Sequence, residues 1–149
     1  MATYRDNPYS AFNFMVSLQD GQESSLVGGF SDVSGLGREV NYAEYRNGNE
    51  SFNTVRKVAN TYKSDDITLK RGLVGSTALF MWLKKVGDGE HDPRLVTVTL
   101  LDEARNPVST WELRNAQPKK WTGPTLAAKG GSDVAMEELS LVCEECSYK

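Results

Sequence analysis

Chemistry-bearing residues are scarce in this chain. Among 149 residues there is one histidine, His91, and only two cysteines, Cys143 and Cys146. A lone imidazole leaves most catalytic triads and metal sites short of parts. His91 sits with Asp88, Glu90 and Asp92 in a glycine-punctuated stretch, a set that in principle binds a metal or moves protons. The spacing misses the alternating acids and closing glutamate of a calcium loop, so a solvated turn after a helix is the better reading. The cysteines are spaced C-x-x-C, yet no thioredoxin-like pattern surrounds them and no second pair completes four zinc ligands. One buried thiol and one near the chain end is the expectation. No serine stands on a G-x-S-x-G elbow. Gly72 to Thr77 (GLVGST) lacks the lysine of a phosphate loop. Gly35 to Val40 (GLGREV) lacks the third glycine of a dinucleotide fingerprint and runs into a strand. The expectation is no catalytic residue, no cofactor-binding residue, no metal ligand and no enzyme.

Long apolar runs are missing too. The longest, such as Leu79 to Leu83, fall far short of the roughly twenty residues of a membrane span, so no membrane insertion is expected. MATYRDNPYS has no apolar signal-peptide core, which points to synthesis in the cytoplasm. Basic excess is absent: 17 Lys and Arg face 20 Asp and Glu, a net charge of −3. That argues against a dedicated nucleic-acid binder and against attraction to anionic lipid.

What is present is a run of short strands around one helix. The length suits a single domain over residues 1–149, large enough for a proper core. Tyr9 to Leu18 places Phe12, Phe14, Val16 and Leu18 on one face, and Asp20–Gly21 turns the chain. Ile67 and Leu69 alternate with Thr68 and Lys70 until Gly72. A helix is expected over about 76–86, capped by Ser76 or Thr77 and ended at Gly87. Its apolar stripe is Leu79, Trp82, Leu83 and Val86, and Lys84 and Lys85 complement the dipole at its end. Leu95 to Leu101 alternates again. Thr110 to Ala116 and Lys119 to Leu126 read as two further strands, carrying Trp111 and Trp121. The last strand, Val134 to about Cys143, sets Leu139, Leu141 and Cys143 on one face and is expected to bulge near Glu137–Glu138. The fold class is mainly β with one helix: a small antiparallel β-barrel or sandwich flanked by that helix.

The stretch from Leu26 to Lys63 stands apart. Its first half reads as two strands, with Val40 and Tyr42 alternating against Glu39 and Asn41 as in a half-buried strand. Gly28, Gly29, Gly35 and Gly37 mark bulges or a bend. An arm over about 46–63 follows, far longer than the roughly two to five residues of a hairpin loop. Phe52, Val55, Val58 and Tyr62 are scattered along it with Arg46, Arg56 and Lys57. These seven residues are the candidate inter-subunit contacts.

GGFSDVSGLGREVNYAEYRNGN followed by NTVRK resembles the inner tube proteins of contractile phage tails and phage-tail-like injection particles, a family related to the type VI secretion tube protein. NPYSAFNFMVSL, DITLKRGL, VTLLDEARNPV, WELRNAQPKKWTGP and AMEELSLVCE resemble it too, in chain order. The resemblance implies hexameric rings whose sheets join into one barrel around a central channel. It implies rings stacked through the long arm, with Arg46, Arg56 and Lys57 free to pair with acids of the adjoining ring. The implied partners are copies of the chain itself, a contractile sheath protein, baseplate or spike proteins and tube-terminating proteins. DNA or protein effectors would pass through the lumen without specific binding. No cofactor is implied. Two rival readings are a carbohydrate-binding β-module using Trp111 and Trp121 and a small metalloenzyme centred on His91.

Overall fold

Alternation of apolar and polar side chains decides which segments share the core. The computed structural model describes residues 4–19, 25–131 and 133–149; the expected turn at Asp20–Gly21 lies outside them. In chain order the elements are β1 (Phe14–Gln19), β2 (Ser25–Gly28), β3 (Asp32–Ser34), β4 (Arg38–Tyr45), β5 (Arg56–Ser64), β6 (Ile67–Gly72), α1 (Ala78–Gly87), β7 (Arg94–Leu101), β8 (Pro107–Thr122), β9 (Met136–Val142) and β10 (Glu145–Tyr148). The main sheet runs β2-β1-β7-β8-β9-β6-β3, with β10 also paired to β8. All its pairings are antiparallel. Among the described residues β2 and β3 end the order without pairing to each other, so the sheet is open and sandwich-like rather than a closed barrel.

The hinge of the sandwich is β8. The two strands expected on either side of Pro118 are one strand of 16 residues. Its first part pairs with β7 and β10, its last part with β9. Between them Asn115 adopts φ 50° and the register shifts from Pro118 to Lys120. Asparagine tolerates the left-handed region, and irregular pairing bends a strand. Proline, which has no N–H to give to the ladder, stands where that pairing is already irregular.

Val16 and Leu18 of β1, Ile67 and Leu69 of β6, Val96 and Val98 of β7, Leu113 and Ala116 of β8, and Leu139 and Leu141 of β9 are buried in one cluster with Leu79 and Trp82 of α1. Strand β1 begins at Phe14; Phe12 lies in the preceding turn and is exposed. The β7–β8 register shifts after Leu100, and Leu101 is buried. Helix α1 lies against β8 and buries Leu79 and Trp82, leaving Leu83 and Val86 half-buried. Ser76 Oγ accepts from the Ala78 amide at 3.4 Å, whereas Thr77 makes no side-chain cap bond. The helix runs through Gly87, and Gly89, at φ 95°, makes the left-handed turn instead.

No bulge interrupts β9 against β6: the register runs without a shift from Ile67↔Leu141 to Gly72↔Met136. Glu137 therefore shares the inward face with Leu139 and Leu141. Its charge is met by Arg71 on β6, also buried, in an ion pair. Glu137 Oε2 accepts from Trp121 Nε1 at 3.1 Å, and Arg71 donates to the Ser76 carbonyl at 3.3 Å. Buried charge is tolerated when paired and hydrogen-bonded in this way.

Candidate functional site

Strands β4 and β5 form a separate two-stranded sheet. The expected arm over 46–63 is thus a hairpin: Arg56 to Lys63 lie in β5, and only residues 46–55 form the connection. The register runs from Arg38↔Ser64 to Tyr45↔Arg56, with a shift between Val40 and Tyr42. Every β4 side chain and every β5 side chain except Ser64 is exposed. The half-buried strand expected at Val40–Tyr42 is bare on both faces. Val40, Tyr42, Tyr45, Phe52, Val55, Val58 and Tyr62 are all more than two-fifths exposed, Phe52 at 76%. The contributions of Val40, Tyr42 and Tyr45 were missed because alternation alone does not say whether the apolar face has a cover in its own chain.

The root of the hairpin is anchored tightly. Gly35 takes φ 87°, and a Cβ there would lie 2.0 Å from the Asp66 carbonyl oxygen. The Gly37 amide donates to the Gly35 carbonyl at 2.8 Å, and the Asp65 amide donates to the Gly37 carbonyl at 3.1 Å. These glycines mark a bend in which chain presses on chain. At the other strand's end Ser64 Oγ accepts from the buried Cys146 amide at 3.1 Å. Beside this root lies an open groove of about 380 Å³ lined by Tyr9, Phe14, Val33, Leu36, Leu100 and Trp111.

Several charges of the hairpin are engaged within it. Arg46 donates to the Phe52 carbonyl at 3.0 Å, the Glu50 carbonyl at 3.1 Å and Asn53 Oδ1 at 3.3 Å. Arg56 pairs with Glu50 at 2.9 Å and Lys57 with Glu44. The Lys57 hydrogen bond holds the Glu44 carboxyl below its ordinary pKa. Arg38 stacks over the Tyr62 ring at 4.0 Å. The three cations expected to reach for an adjoining ring are engaged in their own chain.

The rival sites are not assembled. Asp92 meets Lys85 at 3.5 Å and Arg94 at 3.1 Å, while its carbonyl accepts from Trp82 Nε1 at 2.9 Å. Among the described residues no three of His, Cys, Asp and Glu are grouped to share a metal ion, and no helix is long and apolar enough to cross a membrane. Trp111 packs on Tyr148 and Trp121 on Phe80, each at 5.2 Å between ring centroids. They stand on different parts of β8, each against its own aromatic partner. Cys143 and Cys146 are both free thiols. Cys146 is the buried one, held in β10 rather than at a loose end. Burial pushes both thiols above their ordinary pKa, with the neighbouring Cys146 adding to the effect on Cys143.

Known structures share this open β-sandwich fold. The anti-feeding prophage baseplate, 6-fold symmetrised, contains a chain of the same fold: TM-score 0.86, 24% identity, covering 97% of each chain. The sheath-tube complex of an extracellular contractile injection system, PVC, in the extended state contains one at TM-score 0.82 and 28% identity, covering 97% of this chain and 93% of that one. A type six secretion system protein shares the fold at TM-score 0.56 and 12% identity, covering 93% and 83%. No curated protein sequence matches the chain. The family model of the T4-like virus tail tube protein gp19 matches residues 10–147, from just before β1 into β10, and the chain accordingly belongs to that tail tube protein family.

Proposed function

We propose that the protein is the structural subunit of the inner tube of a contractile tail or injection particle. Copies close into hexameric rings, and the rings stack around a central channel that passes DNA or protein cargo. The carrying observation is the β4–β5 hairpin, exposed on both faces and lined with large apolar side chains. An isolated two-stranded hairpin is marginal in water, and exposed apolar patches of this kind mark contact surfaces. Among the described residues the outer sides of β2 and β3 add unpaired strand edges, which take up strands of other chains readily. A hairpin on one copy that meets a different surface on the next makes a head-to-tail contact, and such contacts close into rings when the rotation fits. Permanent assemblies of this sort bury about 2,000 Å² or more per contact.

A contractile sheath would surround the tube, with baseplate or spike proteins at one end and a terminator at the other. The role is mechanical: the subunit performs no catalysis and holds no cofactor. It is made in the cytoplasm and serves in the assembled particle. Negative-stain microscopy of the purified protein tests this. Rings or tubes with an open channel are expected; discrete monomers at high concentration would overturn the reading.

A further inference from the structure

Cys143 and Cys146 flank the corner where β9 gives way to β10. Cysteines three apart in an unbroken strand would point to opposite faces. Here the chain bends at Glu144, whose amide donates to the Arg114 carbonyl at 3.1 Å. Its carboxylate accepts from Asn115 Nδ2 at 2.7 Å, at the left-handed residue of β8. The bend resets the alternation. Leu139, Leu141 and Cys143 meet the core cluster before it, and Cys146 joins the same cluster after it. Ser64, the buried last residue of β5, binds the corner from the other side. Its Oγ accepts from the Cys146 amide at 3.1 Å, and its hydroxyl lies beside the Cys143 sulfur. A single hydroxyl thus borders both cysteines.

We infer that Cys143 and Cys146 are a redox-sensitive latch at this corner, open as two thiols and closed as one internal disulfide. The inference takes its setting from the tube reading: a subunit made in a reducing cytoplasm and serving in a released particle meets both conditions. Bridging needs converging Cβ vectors and a close approach, which the bend permits and a straight strand would not. The step is an exchange with a small-molecule disulfide such as oxidised glutathione. The thiolate of half-buried Cys143 attacks one glutathione sulfur, and the glutathione S–S bond breaks to release one thiolate. The Cys146 thiolate then attacks the Cys143 sulfur and displaces the second glutathione. The two protein thiol protons end on the two glutathione thiols, so two cysteines are oxidised and one glutathione disulfide is reduced. Burial keeps both thiols largely protonated, so closure is slow at neutral pH. Once formed, the bond ties β9 to β10 at the point that holds Ser64, and with it the root of the β4–β5 hairpin.

The test incubates the full chain with oxidised glutathione at mildly alkaline pH and follows intact mass, disulfide mapping and melting temperature. Intact mass should fall by two hydrogens, with the bond mapped between Cys143 and Cys146 of one chain. Melting temperature should rise by about 2–4 °C and return after reduction with dithiothreitol. Cys146→Ala should instead keep one glutathione on Cys143, because nothing displaces it. A wild-type chain that retains glutathione on Cys143, links to a second copy or stays a dithiol overturns the inference. So does a closed chain that melts no higher than the reduced one. If Cys146→Ala does not fold, the wild-type mapping and melting decide alone. Sedimentation of the same samples reads the tube proposal separately. Tubes without the bond overturn the latch and leave the tube; a closed, stabilised chain that never assembles sustains the latch and overturns the tube.

Discussion

Two residues explain more of this fold than their size suggests. At Gly35 the backbone is left-handed and its Cβ position is taken by the Asp66 carbonyl, which cannot swing away. At Gly37 the obstacle is the Asp65 carboxylate, 2.2 Å from a Cβ, which can. Gly35→Ala should therefore destabilise the subunit by at least about 2 kcal/mol, and Gly37→Ala by clearly less, as read by denaturant titration. The Arg71–Glu137 pair makes a second contrast. Arg71→Met strands a buried carboxylate and should destabilise by about 3–5 kcal/mol, whereas Arg71→Met with Glu137→Leu should recover most of that loss. The pair was not legible in the sequence, since a lone acid inside an apolar strand looks like a bulge until the strand opposite supplies an arginine. The thiols give a pH prediction. Folding raises the pKa of Cys146 through burial, so its contribution to stability is full below the unfolded value and is lost as pH rises through the folded one. Melting temperature should fall on the alkaline side, and Cys146→Ala should flatten that fall. Alkylation should reach half-buried Cys143 before Cys146.

At the scale of elements, strands covered by their own chain were read well. Alternation at Ile67 to Gly72 and at Leu95 to Leu101 marks β6 and β7 because one face of each meets the core. The helix was legible for the same reason, Leu79 and Trp82 meeting the sheet at helical spacing. β5 was not. Its side chains other than Ser64 are exposed, its apolar residues are sparse, and the period of two that betrays a half-buried strand has no buried half to display. The seven contact residues singled out from the arm are all on the hairpin, but Arg46 braces the tip from within and its expected free charge is absent. Shortening the connection should separate folding from assembly. Replacing Asn47 to Asn53 by a two-residue Asn-Gly turn keeps the paired strands. It should give a subunit of normal melting temperature that forms no long tubes in the electron microscope. Trp82→Ala, by contrast, removes a core side chain and should cost about 3–5 kcal/mol of subunit stability.

For the whole molecule, membership of the tail tube family and the bare hairpin express one condition. The described residues fold around one core cluster and leave a second apolar surface exposed on the hairpin. Sedimentation velocity across a wide concentration range addresses this most directly. The account predicts a step from monomer to a ring-sized species and then to long polymers as concentration rises. A single monomeric boundary at every concentration would contradict it.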